Sequence, residues 1–224
     1  MRYARLVILF GITLAFAIAM PARADIIFGD PNPALVTGDY SDFDFPRQIA
    51  GAFVLQPGAA VVTDIHWWGL YAAGDSFADD DFWIRIFADN GAATPEDTPS
   101  ILELHPVNVL RVDTGLDAAD LDIYYYSLDI SPLALTAGTP YYLSIVNDTG
   151  GDSDNWAWLD AAAGAHWLRG VDVDPWSVGR LLTQPAFTLT NDNTVIPEPA
   201  TLSLLGIGLG ALALRRRLNR KSKI

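Results

Sequence analysis

Cysteine is absent from the 224 residues, which excludes disulfides, thiolate metal sites and cysteine nucleophiles. An exported domain of this size folds without disulfides, so the absence fits an oxidising compartment as well as any other. Lysine occurs only at Lys221 and Lys223, so residues 25–194 carry none. Across those residues five arginines (Arg47, Arg85, Arg111, Arg169 and Arg180) stand against 26 acidic side chains. So negative a body repels phosphates, and nucleic acid is excluded as a partner. It suits a hydrated polyanionic or calcium-containing environment. Histidine is scarce: His66, His105 and His166 show no paired spacing of the kind that marks a metal site. There is no G-x-S-x-G elbow and no phosphate-cradling loop. With so many carboxylates, acid pairs at glycosidase spacing arise by chance, and their presence carries no information. The chain is therefore expected not to be an enzyme, with an extracellular polysaccharide hydrolase as the alternative. Long apolar runs are missing too. The two longest, residues 6–19 and 200–214, have 14 and 15 residues, and a comfortable helical span needs about 20.

Those two runs lie at the ends. Arg2 and Arg5 precede the first, and Ala22-Arg23-Ala24 follows it with small residues where a signal peptidase reads. Residues 1–24 thus read as a secretory signal peptide cut between Ala24 and Asp25, with the Sec machinery and signal peptidase as partners. At the other end, Pro197-Glu198-Pro199 precedes the second run, and Arg215, Arg216, Arg217, Arg220, Lys221 and Lys223 follow it. As a helix that run reaches ~22 Å against a hydrocarbon core of ~30 Å. The arginines hold the C-terminal side in the cytoplasm, and their stems snorkel to lengthen the crossing.

In order, spacing and position this tail resembles the PEP-CTERM sorting signal of Gram-negative bacteria. The resemblance covers residues 195–224. It implies recognition of Pro197-Glu198-Pro199 by exosortase, a membrane hold by the apolar segment and a stop at Arg215, Arg216 and Arg217. It also implies transient anchoring at the inner membrane and then the cell surface or extracellular matrix, with a role in exopolysaccharide and biofilm.

Between the two signals, residues 25–194 are enough for one domain. Residues 25–46 read as an entry strand and a long loop. Runs at 48–55, 60–68, 82–88, 101–107, 109–112, 122–130, 141–147, 156–159, 166–171 and 186–190 read as strands. In residues 82–88, Phe82, Ile84 and Ile86 share one face, with Trp83, Arg85 and Phe87 opposite. In 122–130, Tyr124, Tyr126, Leu128 and Ile130 share another. Pro57-Gly58, Asn90-Gly91 and Gly138-Thr139-Pro140 supply turns, and residues 118–121 allow a single helical turn. Short strands with spaced turns predict an all-β, antiparallel β-sandwich or jelly-roll-like domain. Residues 49–55, 65–69, 82–87 and 141–148 are similar to secreted β-sandwich modules that precede such sorting tails. That likeness implies a fold and no catalytic residues.

Acidic loops and aromatic rings give the remaining candidates. Asp39, Asp42 and Asp44 form one loop, Asp75, Asp79, Asp80 and Asp81 a second, and Asp148, Asp152 and Asp154 a third. All three read as solvated negative loops, or as hard-cation sites. Asp148, Asp152 and Asp154 have the most ligand-like spacing, although no Glu closes an EF-hand loop, and Ca²⁺ is the cofactor they would take. Trp68, Trp83, Trp156 and Trp158 read either as core or as platforms for the C–H faces of sugars, with exopolysaccharide as the ligand. A structural or glycan-binding matrix role follows, with a calcium-dependent lectin-like module as a further alternative.

Overall fold

The computed structural model describes residues 24–30, 32, 35–71, 80–148, 155–162, 164–172, 175–180 and 182–191. Contacts divide the chain into two units, Met1–Ala24 with Asp192–Ile224, and Asp25–Asn191. Apart from Ala24, the first unit lies outside the described residues. So do the expected leader helix, Ala22, Pro197, Glu198, Pro199, the apolar run and Arg215, Arg216 and Arg217. Among the described residues no helix is long and apolar enough to cross a membrane.

The second unit is all β. Its strands are β1 (Asp25–Phe28), β2 (Leu35–Tyr40), β3 (Gln48–Val54), β4 (Val61–Tyr71), β5 (Phe82–Ala88), β6 (Leu102–Leu104), β7 (Leu110–Ala118), β8 (Leu121–Ala134), β9 (Pro140–Asn147), β10 (Trp156–Ala162), β11 (His166–Arg169), β12 (Ser177–Arg180), β13 (Thr183–Pro185) and β14 (Phe187–Asn191). Every pairing between them is antiparallel. One sheet holds β1, β2, β4, β7, β8, β10, β13 and β14; the other runs β12-β11-β3-β9-β5-β6.

Alternation decides what each sheet buries. On β5, Phe82, Ile84 and Ile86 enter the main core, and Phe87 packs on the opposite face with Tyr142. On β8, Tyr124, Tyr126 and Leu128 face the same core. Both patterns agree with the sequence. The phase then slips: Val62 pairs with Leu133 but Asp64 pairs with Asp129. Pro132, which has no N–H for the ladder, falls inside this irregularity. As a result Val62 joins the core.

The main core draws on both sheets. Phe53 and Phe82 from the six-stranded sheet meet Phe187, Trp67, Tyr126 and Trp156 from the other, with ring centroids 5.1–6.1 Å apart. Each large apolar side chain buried this way contributes roughly 1.5–3 kcal/mol, and a well-oriented aromatic pair adds about 0.5–1.5 kcal/mol.

Two local expectations change. Residues 25–46 hold a second strand, β2, hydrogen-bonded to β10. Residues 118–121 form no helical turn: Asp117 pairs with Asp122 and Ala118 with Leu121. Ala119 and Asp120 both take positive φ, 53° and 65°, the backbone of a two-residue hairpin turn. Ala-Asp lacks the Asn-Gly or Asp-Gly signature, so the turn is invisible in the sequence.

Candidate functional site

The tryptophans part company. Trp156 and Trp158 are fully buried in the main core. Their rings touch aromatic neighbours, and Trp158 donates its Nε1–H to the Ala186 carbonyl at 3.1 Å. No face of either is open to a sugar, because both alternate inward on β10. Trp68 lies on the outer face of its sheet, where Tyr125, Leu70 and Leu159 cover it to 7 % exposure. Trp83 alone of the four is partly exposed. It stacks on His105 with ring centroids 4.4 Å apart, and the Arg85 guanidinium lies 5.2 Å from its centroid. The structure does not bring the four together.

The acidic loops fare likewise. Asp75, Asp79, Asp152 and Asp154 lie outside the described residues. Asp148 donates its backbone N–H to the Asp81 carbonyl at 2.9 Å. Asp80 accepts from the Tyr71 hydroxyl and from Arg111 Nη1, the latter at 3.1 Å. Asp81 is bonded to His105 Nε2. Asp42 is buried and accepts the backbone N–H groups of Asp44 and Trp156, each at 2.8 Å. Asp44 is exposed.

The histidines make an instructive contrast. His66, on the outer face of β4, closes a chain across three strands. Tyr125 donates its hydroxyl to Nδ1 at 2.7 Å, Nε2–H donates to Thr190 Oγ1 at 3.2 Å, and Thr190 donates to Asp64 Oδ2 at 3.1 Å. In the tautomer with the proton on Nε2, every donor in that chain has an acceptor.

His166 is different. It sits inward on β11, opposite Gly51 of β3, and is fully buried. A Cβ on Gly179 of β12 would fall 2.5 Å from its Cδ2 and 2.6 Å from its Nε2, so the bare glycine makes room for the ring. Two carboxylates from the other sheet approach it. Asp39 of β2 places Oδ2 3.3 Å from Nε2, and Asp160 of β10 places Oδ1 3.6 Å from Nδ1. Yet neither ring nitrogen makes a hydrogen bond of good geometry: Asp160 stands beyond hydrogen-bond distance of Nδ1, and Asp39 lies at the long end of the range from Nε2.

The outward oxygens of the same carboxylates are held. Arg180 of β12 grips Asp39 Oδ1 at 3.0 Å and Asp160 Oδ2 at 3.3 Å. Thr183 donates to Asp160 Oδ2 at 2.9 Å. Arg47 stands 3.9 Å from Asp39 Oδ1. Burial by itself would raise the Asp39 pKa; the His166 contact and the Arg180 charge outweigh it and hold the carboxyl below its ordinary value. One ligand atom each from Asp39, Asp160 and His166 lies within 4.8 Å of the others. Asp39, Asp160 and His166 thus form the one His–carboxylate cluster of metal-ligand kind among the described residues.

Sequence reading missed this centre. One signal was available: Asp160 continues the inward series Trp156, Trp158, and a core-facing carboxylate needs a partner. No spacing rule supplies that partner, because β2, β10 and β11 meet only in the folded sheets.

The chain matches no curated protein and no solved structure. Residues 195–217 match the family model described as the PEP-CTERM protein-sorting motif. They span Pro197-Glu198-Pro199, the apolar run and Arg215, Arg216 and Arg217. By that motif the chain is a PEP-CTERM domain-containing protein, exported, held transiently in the membrane and targeted to exosortase.

Proposed function

We propose that this protein is a structural component of the cell surface or extracellular matrix of an exopolysaccharide-producing Gram-negative bacterium. In this reading Sec and signal peptidase export it, exosortase releases it, and the two-sheet, sandwich-like domain is the released cargo rather than an enzyme. The sorting motif at residues 195–217 is the observation that carries the reading. Charge supports it, because 26 acidic residues on a lysine-free body keep such a domain hydrated and dispersed among polyanions. The burial of Trp68, Trp156 and Trp158 favours the structural role over the glycan-binding one.

Replacing Pro197-Glu198-Pro199 by three alanines in the native host tests the sorting step. Unprocessed protein should accumulate in the membrane fraction, while the parent chain is released. Normal release of the variant overturns the reading.

A further inference from the structure

We propose that Asp39, Asp160 and His166 bind one divalent transition-metal cation of the Zn²⁺ type, which pins the two sheets together. This goes beyond the sorting reading and does not depend on it.

Three observations carry the proposal. His166 is fully buried, and both its nitrogens lack hydrogen bonds although a carboxylate oxygen faces each of them. A mere ion pair would turn the ring to align N–H with oxygen, as His66 does with its own partners. A metal asks for something else: a nitrogen lone pair and carboxylate oxygens converging from several sides. The three residues supply those atom types within 4.8 Å of one another; a cation on one ring nitrogen takes the carboxylate facing it directly and draws the other carboxylate round the ring. Tetrahedral bonds of ~2.0–2.2 Å set ligand atoms about 3.4 Å apart, so the side chains close up by about an ångström around a cation.

The surroundings fit as well. Arg180 and Thr183 occupy the outward carboxylate oxygens and leave Asp39 Oδ2 and Asp160 Oδ1 turned toward the histidine. Outer partners of this kind orient ligating groups and are part of most metal sites. Asp39 is the most exposed of the three, at 16 % of its side chain, and gives the ion its way in. An imidazole and so few oxygens suit Zn²⁺ or Co²⁺; Ca²⁺ wants six to eight oxygens. The ligands come from β2 and β10 in one sheet and β11 in the other, so the ion would cross-link a domain that has no disulfide.

The test uses the full chain, purified without an affinity tag in detergent and stripped with EDTA. Calorimetric titration with Zn²⁺ should show one saturable site. At a free Zn²⁺ concentration of about a hundred times Kd, the folded-to-unfolded ratio should rise about a hundredfold. His166→Gln should abolish both effects. Should that variant misfold, ¹⁵N spectra of the unsubstituted protein decide. Zn²⁺ should shift the ring nitrogens of His166 and leave those of His66 and His105, assigned through His66→Gln and His105→Gln, in place. Co²⁺ should give a visible absorption band that Zn²⁺ removes. No saturable binding, equal binding by a folded His166→Gln variant, or shifts confined to His66 or His105 would each overturn the proposal.

Discussion

Gly69 sits on the inner face of β4, in phase with Trp67 and opposite Trp158 across the sheet. A Cβ there would lie 2.5 Å from Cε2 of the Trp156 indole and closer still to Nε1. Ordinary carbon contacts are ~3.5–4.0 Å, so Gly69→Ala requires the ring to shift by about an ångström. It has nowhere to go. Trp156 is fully buried, with Phe82 at 5.1 Å, Tyr126 at 6.2 Å and Trp158 at 6.4 Å between ring centroids. Overpacking of this kind costs typically 1–3 kcal/mol, and the rigid surroundings place this case at the upper end, about 3 kcal/mol. Strand propensity alone has the opposite sign, because alanine is favoured over glycine in a strand interior by roughly 0.5–1 kcal/mol. Urea unfolding of the exported protein, followed by tryptophan fluorescence, therefore separates the two effects by sign. Trp156→Leu removes the obstructing ring at its own cost of about 3 kcal/mol. The double variant should be more stable than the sum of the singles by at least about 1 kcal/mol. A Gly69→Ala protein as stable as its parent, or strict additivity, would refute the packing described for this strand.

Two further outcomes are expected. Burial above all raises the phenol pKa values of Tyr71 and Tyr126; the Tyr126 phenol and then the Asp80 charge add to it at Tyr71, and the Asp80 charge at Tyr126. A raised folded pKa leaves stability intact below the unfolded value of about 10 and erodes it as pH climbs past that point. Each of the two should cost about 1.4 kcal/mol by pH 11, roughly 3 kcal/mol together. Equal urea midpoints at pH 9 and 11 would contradict this. Asp42→Ala leaves the buried Trp156 N–H without its 2.8 Å acceptor and should cost about 2 kcal/mol. A melting temperature within about 1 °C of the parent would show that the bond contributes nothing.

How much of this was readable beforehand depends on the range of the interactions. Alternation on β5 and β8 is local, and it placed Phe82, Ile84, Ile86, Tyr124, Tyr126 and Leu128 on their core faces. The sorting tail was legible for the same reason, being a contiguous linear pattern. β2 was not legible, because Leu35–Tyr40 contains Gly38 and Asp39 and gains its strand form only by pairing with β10. The short strands β12 and β13 depend in the same way on β11 and β10. Those unread strands supply Asp39, Arg180 and Thr183, so the His166 centre could not be assembled from sequence. The tryptophans show the converse. Their ring chemistry suits a sugar platform, but inward register on β10 commits Trp156 and Trp158 to the core.

The central claim is that the chain is exported and then cut free of its C-terminal membrane hold. Intact-mass measurement of the protein in culture medium and in membranes of the native host tests it most directly. The released form should begin at Asp25 and lack the apolar run and the arginines that follow it. Full-length polypeptide found free in the cytosol, with both ends intact, would contradict the account.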